Sequence, residues 1–158
     1  MKKYIGTKMI QAEPAFRVSA GDFKNVIHPK TWPVPEDRTG QTWEDGYKVV
    51  YPDGYVSWSP KDVFEEAYRE TTGMNFGLAI EALKKGLRVA RNGWNGKGMY
   101  VFLAYEADFV TDADLSAFDQ LEVEVSDMLV LKTAQDTFQP GWLATQSDML
   151  ADDWYIVE

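Results

Sequence analysis

The residue types best suited to holding a phosphate are concentrated in one short stretch, from Arg88 to Lys97. Its glycines let the backbone approach a ligand, and exposed amides with arginine or lysine can hold phosphate oxygens. Trp94 stands in this loop, where it must either pack into the core or stack on a planar group such as a nucleobase. Arg88 and Arg91 face opposite sides if they share a strand. The stretch predicts a site for a small phosphate-bearing nucleotide.

A second candidate for ligand binding runs from Pro140 to Leu150. Thr145 and Ser147 can each cap a short helix, whose N-terminal amides would then be free to bind an anion. Trp142 lies just before that helix. The alternative is structural: Ser147 only caps the helix, and Trp142 belongs to the core.

Residue types for metal binding or nucleophilic catalysis are scarce. The chain has no cysteine and one histidine, His28, so the sequence favours neither a zinc centre nor a Ser-His-Asp triad. An EF-hand loop starting at Asp112 would need glycine and glutamate where Ala117 and Val123 stand. We therefore expect no catalytic residue, no metal and no cofactor, and we interpret Glu106–Asp119 as a solvated acidic loop.

Two further patterns do not indicate catalysis or dinucleotide binding. The glycines at positions 93, 96 and 98 lead into a strand, whereas a dinucleotide fingerprint leads into a helix, and no P-loop motif is present. The adjacent pairs Glu65–Glu66 and Asp152–Asp153 are predicted on helices, where neighbouring side chains diverge. Neither pair resembles a general acid and base.

The charge distribution argues against binding to nucleic acid or membrane. The net charge is −9, which opposes a protein that grips nucleic acid through its overall field. Residues 74–158 hold 6 basic and 14 acidic residues, a net of −8, yet five of those six cations lie between positions 84 and 97. No apolar run approaches the roughly 18 residues needed to span a bilayer. With no signal peptide recognised, we expect a cytoplasmic protein.

The N-terminal part of the chain contains a hairpin followed by a helix. Tyr47–Tyr51 and Tyr55–Trp58 read as strands joined by a Pro-Asp-Gly turn. Ser59 is expected to cap a helix that starts at Pro60 and runs to about Glu70, with Asp62 at the capping-box position.

The C-terminal part must position both candidate segments. Asn75 is expected to cap a helix from Phe76 to Lys85, which Gly86 ends. A second short helix begins at Ser147. The predicted strands are Arg88–Arg91, Met99–Tyr105, Leu121–Val125, Met128–Thr133 and Trp154–Val157. The expected fold is α+β, with small antiparallel sheets and short helices in two compact units, residues 1–73 and 74–158.

Several motifs in residues 74–158 occur together in one known family. They are Met74-Asn75-Phe76-Gly77, Ile80–Gly86, Val89-Ala90-Arg91, Gly93–Met99, Trp142-Leu143-Ala144 and Asp148–Trp154. On these motifs the C-terminal part resembles the phage-encoded Thoeris anti-defence proteins of the second type.

The resemblance implies a sponge for immune signals. Members of that family bind the cyclic ADP-ribose signal of a TIR enzyme without destroying it, and some relatives hold CBASS-type cyclic dinucleotides at separate sites. They assemble as homotetramers with pockets between subunits. By this resemblance the protein is a non-enzymatic, homotetrameric nucleotide-binding protein that inhibits anti-phage defence in the infected host.

The resemblance also implies roles for individual residues. Trp94 and Trp142 would stack on adenine or form the pocket wall, and Arg91, Asn92 and Asn95 would serve phosphate and ribose hydroxyls. The full set of expected ligand-binding residues is Phe76, Arg91, Asn92, Trp94, Asn95, Trp142, Ala144, Thr145, Ser147 and Asp148. Short family members begin near Met74, so residues 1–73 are an added domain.

Two other functions remain open at this point. The first is an enzyme that hydrolyses the same signals, although phosphodiester cleavage usually needs metals or a histidine base. The second is an acidic interaction protein that mimics nucleic acid and blocks a host factor, which the net charge of residues 74–158 favours.

Overall fold

The computed structural model describes residues 7–18, 25–30, 43–105 and 126–158. The chain divides into two compact units, Met1–Arg69 and Glu70–Glu158, called here the N-terminal and C-terminal units. Each contains an antiparallel sheet and short helices. The α+β prediction of small antiparallel sheets with short helices is confirmed.

The described residues of the N-terminal unit form the strands β1 (Gln11–Val18), β2 (Ile27–Pro29), β3 (Trp43–Val50) and β4 (Val56–Pro60) and the helix α1 (Lys61–Ala67). The four strands make one sheet in the order β2-β1-β3-β4. The predicted hairpin corresponds to β3 and β4, and Gly54 in its turn has φ +83. β1 and β2 had no counterpart in the prediction from sequence. Ala15, Val18 and Val49 are buried and belong to the hydrophobic core of this unit.

The helix of the N-terminal unit starts later and ends earlier than predicted. Pro60 occupies the N-cap position without a side-chain cap, and the Ser59 hydroxyl bonds to the carbonyl of Pro60 instead. Ser59 belongs to β4, where it pairs with Tyr47, so its backbone is committed to the sheet. Phe64 stacks on Tyr47 with ring centroids 4.0 Å apart, which fastens α1 to β3.

The described residues of the C-terminal unit form α2 (Phe76–Lys84), β5 (Arg88–Arg91), β6 (Tyr100–Ala104), β7 (Met128–Lys132), β8 (Phe138–Pro140), α3 (Gln146–Met149) and β9 (Trp154–Val157). The five strands make one sheet in the order β8-β7-β6-β5-β9. β5 to β8 follow one another across the sheet, and β9 returns to pair with the free edge of β5, setting Arg91 beside Trp154.

Helix α2 has the caps expected from the sequence. The Asn75 side chain accepts a hydrogen bond from the Leu78 amide at 3.0 Å, and Gly86 follows the helix with φ +78. The buried face of α2 carries Ala79, Ala82 and Leu83, which join Val89, Val101, Met74 and Trp154 in the core.

The outer edge of β9 is covered by the chain that leads into α2. Met74 and Trp154 exchange two backbone hydrogen bonds, at 2.8 and 3.1 Å, and the Ile156 amide donates to Thr71 at 3.0 Å. Residues 71–74 therefore pair with the C-terminal sheet. The predicted strand Leu121–Val125 and the predicted acidic loop Glu106–Asp119 lie outside the described residues.

Candidate ligand site

Three tryptophans contact one another on the side of the C-terminal sheet that carries α2. Trp154 is fully buried, whereas Trp94 and Trp142 are half-buried. The ring centroids of Trp94 and Trp142 lie 5.5 and 6.2 Å from that of Trp154 and 6.0 Å from each other, all in edge-to-face geometry. The sequence left open whether Trp94 and Trp142 pack in the core or contact a ligand. In this tryptophan cluster both residues pack on the core, and both retain exposed surface.

The carboxylate of Asp148 joins the tryptophan cluster to α3. Its Oδ1 accepts hydrogen bonds from Arg91 Nη1 at 2.8 Å and Trp94 Nε1 at 3.1 Å. Its Oδ2 accepts from the Thr145 amide at 3.0 Å and the Thr145 hydroxyl at 2.7 Å. The Asp148 carbonyl accepts from Trp154 Nε1 at 2.9 Å. Asp148 is 6% exposed, so its charge is balanced almost entirely by neighbouring protein groups.

Arg91 bridges two carboxylates. Nη1 binds Asp148, and Nε donates to Asp153 Oδ1 at 2.7 Å, while 15% of the arginine side chain remains exposed. The hydrogen bonds from Arg91 to Asp153 and then to Asp148 raise the pKa of the guanidinium. Arg91 is thus neutralised within the protein, in an ion cluster that consists of Arg91, Asp148 and Asp153.

The acidity of both aspartates reflects these contacts. Burial alone would raise the pKa of Asp148, but hydrogen bonds from Thr145, Arg91 and Trp94 together lower it to about 2. The pKa of Asp153 is lowered chiefly by Arg91, against a smaller opposing effect of burial, with further help from the Gly93 amide. Both side chains are therefore charged at neutral pH.

Asp153 was missed by the sequence analysis, which placed it on a helix beside Asp152. That placement is wrong, because α3 ends at Met149 and Asp153 directly precedes β9. Its Oδ2 accepts from the Gly93 amide at 2.7 Å, and its carbonyl accepts from the Asn92 amide at 3.1 Å. Only the pairing of β5 with β9 brings residues so distant in sequence together.

The glycines of the loop from Asn92 to Gly98, called here the glycine-rich loop, serve internal packing. A Cβ on Gly93 would lie 2.9 Å from Asp153 Oδ2, and one on Gly96 would lie 2.2 Å from Met99 Sδ. Gly98 has φ +67, which disfavours any residue with a side chain. Contacts within the protein thus account for these three glycines without a ligand.

The five clustered cations do not converge on one point. Lys84 pairs with Glu81 on α2, and Lys85 and Lys97 are exposed. Arg88 lies over the ring of Tyr100 at 5.1 Å, whereas Arg91 belongs to the ion cluster. Arg88 and Arg91 face opposite sides of β5, as their spacing predicts.

Helix α3 begins at a reciprocal capping box. Thr145, and not Ser147, is the N-cap: its hydroxyl accepts from the Asp148 amide, and the Asp148 carboxylate accepts from the Thr145 amide. The Ser147 hydroxyl lies 2.8 Å from that of Thr145. The predicted anion position at this helix terminus is therefore already occupied by a carboxylate of the protein.

The remaining predicted site residues surround these two clusters. Phe76 packs on Trp154 with ring centroids 5.5 Å apart. Asn92 and Asn95 lie exposed in the glycine-rich loop, and Ala144 is half-buried just before the α3 cap. The structure thus joins Phe76, Trp94 and Trp142 through Trp154, and it joins Arg91, Trp94, Thr145 and Asp148 through hydrogen bonds.

A separate cleft of about 340 Å³ lies away from these residues. None of the predicted site residues lines it; the lining residues are Gly86, Arg88, Tyr100, Phe102, Leu103 and Phe138. Among the described residues, no group of three or more histidines and carboxylates could hold a metal ion. No helix in the described part of the chain is both long and apolar enough to cross a membrane.

Comparison with known proteins gives two matches to the C-terminal part of the chain. The Thoeris anti-defense 2-like domain matches residues 74–157. The protein "Thoeris anti-defense 2" of Bacillus phage SP01 is 38% identical over 87 residues, which cover 54% of this chain and 97% of that protein. The first 73 residues lie outside the domain match.

Proposed function

Because the chain belongs to the Thoeris anti-defense 2-like family, whose name carries an anti-defence role, we propose that it acts by sequestering a small cyclic nucleotide. The ligands proposed are cyclic ADP-ribose isomers and cyclic dinucleotides, bound without cleavage in the cytoplasm of the infected host. The protein is then a binding protein and not an enzyme.

The observation that carries this proposal is the tryptophan cluster. Trp94 and Trp142 are anchored by the buried Trp154, yet both keep exposed surface. Aromatic faces held rigidly in this way can stack on a nucleobase at little cost in side-chain entropy. Phe76 also packs on Trp154, with ring centroids 5.5 Å apart.

Polar groups next to the tryptophans fit the sugar and phosphate parts of such a ligand. Asn92 and Asn95 present exposed amides, which can donate and accept hydrogen bonds. The Thr145 hydroxyl proton is committed to Asp148, so Ser147 donates to Thr145 and keeps its own oxygen free to accept. Ser147 is thereby suited to a ribose hydroxyl.

Arg91 and Asp148 take a different part in this proposal from the one the resemblance suggested. Both side chains are satisfied by protein partners. A phosphate at Arg91 would lie beside the two carboxylates that already accept from its Nε and Nη1 atoms, and their negative charge would repel it. In this proposal Arg91 and Asp148 keep the site residues in place, and neighbouring residues contact the ligand.

A homotetramer with pockets between subunits is also part of the proposal. Leu143 and Leu150, which flank α3, are 85% and 82% exposed, and Met149 is 47% exposed. Such a concentration of exposed apolar side chains next to a candidate site is typical of an interface. Light scattering coupled to size-exclusion chromatography measures the assembly: a mass near four chains supports it, and a monomer contradicts it.

A capture-and-release assay tests the nucleotide proposal. Purified protein is mixed with cyclic ADP-ribose isomers or cyclic dinucleotides and filtered, and the retained protein is then heated. Intact nucleotide that disappears from the filtrate and returns on heating supports sequestration. Nucleotide that returns chemically altered makes the protein an enzyme, and nucleotide that never leaves the filtrate directs attention to a protein partner.

Two variants locate the ligand. Trp142→Phe keeps an aromatic core residue but reduces the stacking surface, and we expect about tenfold weaker binding from the loss of roughly 1–3 kcal/mol of stacking. Phe138→Ala is the control, because Phe138 is 59% exposed and lines the separate cleft. Weaker binding in Phe138→Ala alone would move the ligand to that cleft.

A further inference from the structure

We propose that Asp153 is a positioning residue, which holds the start of the glycine-rich loop so that Trp94 is presented to the ligand. This inference rests on the proposed function, since it takes Trp94 as part of the nucleotide site. Asp153 lies outside the set of residues that the sequence motifs suggested for ligand contact.

Asp153 contacts the start of the loop through both its side chain and its backbone. Its carboxylate binds Arg91 Nε and the Gly93 amide, each at 2.7 Å, and its carbonyl binds the Asn92 amide at 3.1 Å. The Trp94 amide then donates to the Arg91 carbonyl at 3.3 Å. Four consecutive residues, 91 to 94, are thus tied to Asp153 directly or through Arg91.

Glycine at position 93 is what allows this approach. A Cβ there would lie 2.9 Å from Asp153 Oδ2 and 3.2 Å from Arg91 Nη2. The first distance is shorter than side-chain carbons normally tolerate, so any larger residue must displace the carboxylate or the loop. The contact therefore depends on both partners, and either one can be altered to test it.

The two aspartates of the ion cluster differ in their burial and in their hydrogen-bond partners. Asp148 has an 8% exposed side chain and satisfies α3, Trp94 and Arg91 together, so its loss damages the fold. The side chain of Asp153 is 33% exposed, and its partners are Arg91 and the loop amide. Altering Asp153 consequently loosens the loop while the core of the unit keeps its contacts.

The direct test compares Asp153→Asn with Asp152→Asn in the full chain. Asn keeps the size of Asp153 but replaces one carboxylate oxygen with an amide nitrogen. Because Arg91 and the Gly93 amide bind different oxygens of Asp153, one of the two bonds is lost. With cyclic ADP-ribose isomers and cyclic dinucleotides as probes, we expect about tenfold weaker binding, the loss of one charge-assisted hydrogen bond. Asp152 is exposed and carries the same charge, so Asp152→Asn should stay within about twofold of wild type.

Hydrogen exchange at the Gly93 amide separates positioning from general stability. In Asp153→Asn this amide should exchange about tenfold faster, while amides in β5 and α2 keep their wild-type rates. Faster exchange at Gly93 with unchanged affinity would overturn the proposal, as would unchanged exchange.

Gly93→Ala provides a second route if Asp153→Asn does not fold. It retains every charge but pushes on the Asp153 carboxylate, and it should weaken binding by a similar factor. Wild-type affinity in this variant counts against positioning by Asp153. A wild-type chain that binds none of the nucleotides instead contradicts the proposed function, and the Gly93 exchange rates still decide whether Asp153 holds the loop.

Discussion

Each unit of the chain sets an arginine against a tryptophan on its own sheet, but the two arginines are satisfied to different degrees. In the N-terminal unit, Arg17 lies 3.9 Å from the Trp58 ring centroid and pairs with Glu44 at 2.5 Å. The side chains of Arg17 and Glu44 are 31% and 43% exposed, and among the residues that the structure describes Arg17 Nε and Trp58 Nε1 are buried without a hydrogen-bond partner. In the C-terminal unit, Arg91 binds two carboxylates, and the Nε1 atoms of Trp94 and Trp154 are bonded.

The difference teaches what holds each arrangement together. Trp58 is held by packing, since a Cβ on Gly46 would lie only 2.7 Å from its ring. The Trp94 indole donates a hydrogen bond to the buried carboxylate of Asp148, whose other lone pairs accept from Arg91 and Thr145. A fully satisfied polar network fixes one geometry, whereas a partly satisfied one contributes little and carries a desolvation cost. Of the two arrangements, the C-terminal one is held by more hydrogen bonds, as the proposed ligand site requires.

The largest expected effect is at the centre of the satisfied network. Asp148→Asn removes the charge that balances Arg91 and half of the acceptor capacity used by Thr145, Trp94 and Arg91. Breaking a buried pair from one side typically costs about 3–5 kcal/mol. We expect a loss of that order in the free energy of unfolding of the C-terminal unit, measured by urea-dependent hydrogen exchange at the amides of β5 and β9.

Asp152→Asn serves as the control for this measurement, because it removes the same charge from an exposed position. It should change the free energy of unfolding by less than about 0.5 kcal/mol. An equally small change in Asp148→Asn would mean that the ion cluster does not stabilise the unit. The additional hydrogen bonds around Arg91, compared with Arg17, would then make no measurable contribution to the free energy of unfolding.

Acid should weaken the same network in a defined pH range. The pKa of Asp148 falls from an ordinary 3.8 to about 2 in the folded protein. A depressed pKa contributes stability above the unfolded value, and that stability is lost as pH falls through the folded value. The contribution is about 2 kcal/mol near neutral pH, roughly half of which is gone at pH 3.

The measurement is the difference in stability between wild type and Asp148→Asn, taken at pH 6, 4, 3 and 2. This difference should stay nearly constant from pH 6 to 4 and narrow below pH 4, because the wild type alone loses the Asp148 contribution. A difference that does not narrow by pH 2 would contradict the low pKa.

Local sequence signals predicted the elements of the C-terminal unit well. Helix α2 begins after Asn75 and ends before Gly86, as expected. The strands beginning at Arg88 and Trp154 appear where apolar runs meet turn residues. These signals succeed because caps and strand ends depend on neighbouring residues. Ser59 shows the limit: it looks like a helix cap, but pairing with Tyr47 commits it to β4.

The candidate site was less predictable than the fold, because its key contacts join distant residues. Trp94 and Trp142 could be selected by type, but their common anchor, Trp154, depends on the pairing of β5 with β9. For the same reason the sequence suggested Arg91 as a phosphate ligand, whereas the structure pairs it with carboxylates 57 and 62 positions away. Charge clustering in a sequence does not reveal which charges are neutralised in the fold.

A smaller effect is expected at the edge of the satisfied network. Thr145→Ala removes the hydroxyl that accepts from the Asp148 amide and donates to its carboxylate, but the backbone amide of residue 145 can still bind Oδ2. Loss of an N-cap side chain costs about 1 kcal/mol. The same exchange measurement should give this value, with Gln146→Ala as the control on α3. A loss as large as that of Asp148→Asn would show that the hydroxyl, and not the arginine, dominates the network.

The smallest effect is expected in the partly satisfied arrangement of the N-terminal unit. Glu44→Gln removes the ion pair with Arg17, but both side chains are exposed enough to be hydrated, and the glutamine oxygen can still accept from the guanidinium. Exposed pairs contribute about 0.2–1 kcal/mol, so we expect less than about 0.5 kcal/mol at physiological salt, measured by exchange at the amides of β1 and β3. A loss above about 2 kcal/mol would mean that a single carboxylate holds Arg17 on Trp58 as firmly as two hold Arg91. Since Arg17 Nε and Trp58 Nε1 have no hydrogen-bond partner in the described part of the chain, a small loss would place the stability of this contact in the packing of Trp58 against Gly46.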